Sequence, residues 1–96
     1  MSKESIVERY LVQQVRRYKG ECRKVRFVGH DGAPDRLVLM PKQRNLLGPV
    51  VWVELKSETG RLRAAQVREH ARLRALGQLV YVIRTKLEVD TMLEMW

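Results

Sequence analysis

Between residues 4 and 19 the apolar side chains Val7, Leu11, Val15 and Tyr18 fall at i, i+4, i+8 and i+11, one stripe of a helix. Ser2 stands where an N-cap would and Gly20 where a C′ residue would, so the pattern predicts a helix over 4–19. In "CRKVRFV", residues 22–28, Cys22, Lys24, Arg26 and Val28 alternate with Arg23, Val25 and Phe27, as in a half-exposed strand. "RLVLM" (36–40) and "VVWVEL" (50–55) are apolar on both pleat faces, which predicts strands in a sheet covered on two sides. Pro41 and Gly48-Pro49 between them mark a hairpin-type loop over 41–49.

"RLRAAQVREHARLRALG" (61–77) sets Leu62, Ala65, Leu73 and Leu76 on one face among arginines and ends at Gly77, a second helix. "QLVYVI" (78–83) reads as a further buried strand, and a strand-helix-strand succession implies a parallel, right-handed crossover. "KLEVDTMLEMW" closes the chain as a short helix. The predicted fold is α/β, in the order α-β-β-β-α-β-α, a mixed sheet flanked by helices.

Length adds one bound: 96 residues hold a single domain, 1–96, with one modest core. Charge adds more, because 19 Lys and Arg against 11 Asp and Glu leave a net +8. That excess points to a polyanionic partner, nucleic acid first, although a domain coated with solvated arginines has the same balance. Cys22 is the only cysteine, which excludes an internal disulfide and a cysteine zinc cage. The N-terminal stretch lacks the apolar centre of a signal peptide, and no run approaches the ~20 apolar residues of a membrane span. A cytoplasmic setting without a membrane partner is therefore expected.

The chemistry gathers in two short stretches. Glu54 and Lys56 are two apart at the end of "VVWVELKS", so a strand places both on one face, roughly 7 Å apart. Asp35 precedes "RLVLM", and an antiparallel neighbour would bring it beside the end of "VVWVEL". Gly29, Gly32 and Pro34 shape the turn that delivers it. Two carboxylates suit a hard divalent cation such as Mg²⁺, with Lys56 to orient water or balance charge on a phosphate. Taken singly, Asp35 also reads as a turn aspartate and Glu54 with Lys56 as a surface ion pair.

"GAPD" followed by "VELK" resembles the PD-(D/E)XK phosphodiesterase signature, and the element order is similar to that superfamily's restriction-endonuclease-like core. More narrowly, "ESIVERYL", "GHDGAPDRLVLM", "VWVELKSETGRLRAAQ" and "LRALG" resemble the small stand-alone VRR-NUC (virus-type replication-repair nuclease) family of phages and prophages. The resemblance implies a Mg²⁺- or Mn²⁺-dependent DNA endonuclease related to Holliday-junction resolvases, working in a bacterial host. It implies Asp35 and Glu54 as metal ligands, the main-chain carbonyl of Leu55 as a further ligand, Lys56 as the catalytic lysine, and Gln66 as the family's helix glutamine. It also implies a glutamate from the first helix, Glu8 in preference to Glu4 in the fraying first turn.

With a DNA substrate, Arg61, Arg63, Lys24 and Arg26 are expected on phosphates. His30 and His70 read as an ordinary loop and an ordinary surface histidine, and Trp52 as core. One constellation per chain makes a symmetric homodimer the expected resolver of a four-way junction. Ile6, Tyr10, Leu11, Met92, Leu93, Met95 and Trp96 could supply its interface, or else the monomer's own core. A nuclease for flaps or linear duplex and a non-catalytic basic DNA-binding module fit the same residues.

Overall fold

A computed structural model describes residues 3–41 and 50–95. Ser2, most of the 41–49 loop with Gly48 and Pro49, and Trp96 lie outside the described residues. The order is α1 (Lys3–Arg17), β1 (Glu21–Lys24), β2 (Arg36–Leu39), β3 (Val50–Leu55), α2 (Ala64–Ala75), β4 (Val80–Ile83) and α3 (Lys86–Glu94). One sheet runs β1-β2-β3-β4, antiparallel for the first two pairs and parallel for β3 with β4. This is the predicted mixed α/β sheet flanked by helices.

The apolar stripe of α1 does what its spacing requires. Val7, Leu11 and Val15 are buried against Val38, Val51, Val53 and Leu55 of the sheet and Val89, Met92 and Leu93 of α3. These strand residues alternate along β2 and β3, so α1 and α3 share one face and the odd-numbered positions of β3 point at them. A hydrogen bond of 2.7 Å from the Tyr10 hydroxyl to Asp90 Oδ1 joins the two helices at the rim. Leu11, Met92 and Leu93 are therefore core residues, while Ile6, Leu87 and Met95 stay on the surface.

The other face is not closed as predicted. Leu37, Leu39, Val50 and Trp52 are only half-buried, and α2 covers the sheet near β3 and β4. That helix turns Gln66, Glu69 and His70 inward, with Leu62, Ala65 and Leu73 partly covered and Leu76 70% exposed. It sits over Glu54 rather than over an apolar patch, so the buried side chains match that polarity. β1 also ends at Lys24, short of the predicted 28. Val25 N–H still reaches the Asp35 carbonyl at 3.1 Å, but Phe27 leaves the ladder and packs edge-on against Trp52, with ring centroids 5.1 Å apart. The alternation over 25–28 thus comes from packing on the sheet, not from strand pairing.

The helix ends distinguish two uses of glycine. Gly77 closes α2 as predicted: its φ is +81° and the N–H of Gln78 bonds back to the Leu73 carbonyl at 3.0 Å. At the end of α1 the left-handed residue is Lys19, with φ +69°, not Gly20. Gly20 is required for space, since a Cβ there would sit 2.6 Å from the Leu39 carbonyl oxygen. Lys19→Gly should therefore stabilise the fold by ~0.5–1 kcal/mol. Gly20→Ala should destabilise it by more than about 1 kcal/mol. Urea denaturation of both variants checks the pair, and equal or reversed signs would contradict the assignment.

Candidate active site

The β2–β3 register pairs Arg36 with Val53, which sets Asp35 beside Glu54 on the face that α2 covers. The turn before Asp35 is held by close approach: Gly32 has φ +86°, and a Cβ there would meet the Ala65 carbonyl oxygen at 2.4 Å and Gln66 N at 2.7 Å. Only glycine lets this loop seat on the first turn of α2. Pro34 behind it is fully buried. Asp35 is then clamped by Arg36, whose Nη1 lies 3.0 Å from the Asp35 carbonyl oxygen and 3.1 Å from Oδ2. Oδ1 is buried and has no donor among the described residues.

Glu54 is 5% exposed, and its Oε1 is likewise buried without a donor. Burial foremost, then the Asp35 charge, pushes its pKa up to about 7, with Lys56 opposing the shift and Glu4 adding to it. A buried carboxylate, Glu54, therefore stands beside the Asp35 carboxylate, whose side chain is 41% exposed, with a lysine at hand. Lys56 follows β3 on the same face and is half-buried. Leu55 between them sends its side chain into the core, leaving its main chain at the strand end beside the pair.

Glu8 Oε2 pairs with Arg36 Nη2 at 3.0 Å and Oε1 lies 3.8 Å from Lys24 Nζ. Glu8, preferred from the sequence, thus reaches Asp35 through Arg36. Gln66 is buried beneath the loop, but its Oε1 accepts the Arg63 N–H at 2.8 Å and so caps the first turn of α2. Arg63 also pairs with Asp31 at 3.2 Å, and that guanidinium holds the Asp31 carboxyl below its ordinary pKa. Arg61 and Arg26 are exposed and have no carboxylate partner among the described residues. Arg26, Phe27, His30 and Asp35 line an open cleft of about 520 Å³ beside the pair.

Three residues of this region were not expected. His70 is fully buried, with Nε2 3.8 Å from Glu54 Oε1, and burial holds its pKa below the ordinary value. Glu69 is buried with His30 Nδ1 at 3.8 Å and Arg72 Nη1 at 3.3 Å. Arg36, which opens an apolar strand, links Glu8 to Asp35. A signal existed: Gln66, Glu69, His70 and Leu73 fall at i, i+3, i+4 and i+7, an inward face once polar residues are admitted to it. Among the described residues, no three Asp, Glu, His or Cys side chains converge into a metal cage. The potential ligands are instead the Asp35 and Glu54 carboxylates, hard donors of the kind Mg²⁺ or Mn²⁺ accepts.

No protein-family model matches the chain. It is 40% identical over 81 residues to "Putative nuclease p44" of Acyrthosiphon pisum secondary endosymbiont phage 1, across 84% of this chain and 82% of that protein. A solved structure described as "VRR_NUC domain" superposes with a TM-score of 0.86 at 33% identity, covering 100% of this chain and 99% of its own.

The raised pKa of Glu54 has a sign that stability measurements can read. A carboxyl whose folded pKa lies above its unfolded one contributes stability below the unfolded value, about 4.5, and loses it as pH climbs through about 7. In EDTA, Glu54→Gln should match wild type near pH 4.5 and exceed it at pH 8.5 by on the order of 1–3 kcal/mol. Thermal melts across that window check this, and a difference independent of pH would contradict it.

Proposed function

Because the chain belongs to the VRR-NUC nuclease family, we propose that it is a Mg²⁺- or Mn²⁺-dependent DNA endonuclease that cuts branched DNA, four-way junctions foremost, as a homodimer. The observation that carries this reading is the Asp35 and Glu54 carboxylates brought side by side by the β2–β3 register, with Glu54 5% exposed and Lys56 beside it on the same face. A carboxylate as buried as Glu54 is costly to ionise unless a cation stands beside it.

Asp35 and Glu54 would hold the ion, with the Leu55 carbonyl and a first-helix glutamate as further oxygens. Glu8 is the preferred one, with Glu4 the alternative, and Glu8 also fixes Arg36 and through it Asp35. The bound ion supplies Lewis acidity at the phosphate and makes water there a stronger acid. Lys56 orients the attacking water and balances charge on the phosphate. Gln66 holds the first turn of α2 and the Arg63 main chain, and Arg61, Arg63, Lys24 and Arg26 meet the DNA backbone. The net charge of +8 supports a polyanionic substrate. Among the described residues, no helix is long and apolar enough to cross a membrane.

Support for the homodimer comes from surface apolar groups: Leu87 is 73% and Met95 45% exposed, beside the open edge strand β4. Each protomer has one carboxylate pair, and a two-fold axis supplies the second nick.

Asp35→Asn, Glu54→Gln and Lys56→Ala should each slow cleavage by at least ~100-fold while leaving DNA binding intact. Labelled junction, flap, duplex and single-stranded DNA, each with Mg²⁺, Mn²⁺ or EDTA, provide the assay. Wild-type rates for Asp35→Asn, or cleavage in EDTA, would overturn the reading, and equal cutting of flaps or duplex would remove the junction preference. Sedimentation equilibrium at micromolar concentration should give twice the 11.3 kDa chain mass. A monomer under all conditions would overturn the dimer.

A further inference from the structure

The inward face of α2 is the least expected surface in the molecule. A helix that only had to cover a sheet would bury leucine there, yet this one buries Gln66, Glu69 and His70. His70 is the extreme case, with no solvent exposure and no hydrogen-bond partner for either ring nitrogen among the described residues. Across from it, Glu54 Oε1 is equally buried and equally without a partner. The two atoms lie 3.8 Å apart, about 0.9 Å beyond an ordinary N–H···O contact. Among the described residues, no other group satisfies either atom.

We propose that His70 is a positioning residue, which donates a hydrogen bond from Nε2 to Glu54 Oε1 and thereby sets which carboxylate oxygen Glu54 presents to the divalent cation. This rests on the reading of Asp35 and Glu54 as cation ligands. A carboxylate on a strand end can rotate about its last bond and offer either oxygen. With Oε1 tied to the imidazole, Oε2 is the oxygen left for the ion. Groups that orient a ligand in this way affect metal affinity almost as strongly as the ligands themselves.

The test compares donors with non-donors at one position. His70→Gln keeps an N–H close to the position of Nε2, whereas His70→Met and His70→Leu fill the space without one. Mn²⁺ is titrated calorimetrically into the full chain, with cleavage at saturating Mn²⁺ and melting in EDTA measured alongside. His70→Met should melt no lower than wild type in EDTA, bind Mn²⁺ ~10–100-fold more weakly, and approach the wild-type cleavage rate only once that excess of Mn²⁺ is supplied. His70→Gln should stay within a few-fold of wild type. His70→Leu provides the same comparison if the methionine variant does not fold. Wild-type Mn²⁺ affinity in a folded non-donor variant would overturn the proposal, as would a glutamine variant as weak as the methionine one. Glu54→Gln separates the two levels: if it binds Mn²⁺ like wild type, the cation reading itself fails. If it loses binding while His70→Met keeps it, only the role of His70 fails.

Discussion

Everything distinctive here depends on a carboxylate kept almost dry. Glu54 sits at the end of β3 with 5% exposure, next to Asp35, and its pKa of about 7 measures how strongly burial and a like charge oppose its ionisation. A small domain has little stability to give away. To hold such a group it must enclose the site on several sides at once, and the remaining features are the means of doing so.

Three contacts achieve that enclosure. Antiparallel register brings Asp35 to Glu54, and the absent side chain of Gly32 lets the preceding loop rest on the first turn of α2. Arg36, itself buried, reaches from Glu8 on α1 to Asp35, so a residue on the core face of the sheet steadies one on the other face. The apolar half of the molecule, α1 and α3 against the sheet, provides the stability, and the α2 half carries the strain.

The strands and helices were legible because their periods are. "VVWVEL" is β3 from its first residue to its last, and Asp35, Glu54 and Lys56 could be placed on one edge from a period of two and an antiparallel neighbour alone. What was not legible involved side chains whose role is set by what they face. His70 looked like a surface histidine because arginines surround it in sequence, yet the helix phase that buries Gln66 and Glu69 buries it too. Arg36 was not singled out within the apolar run it opens, and only the packing of α1 shows that it bridges two acids. Lys19 takes the left-handed position that glycine usually fills because Gly20 is needed for contact with β2.

The paired-carboxylate site is tested most directly by crystals grown with Mn²⁺ and measured at the manganese absorption edge. An anomalous peak within ligand distance of both Asp35 and Glu54 is the predicted result. Manganese bound elsewhere, or none with the two carboxylates turned apart, would contradict it.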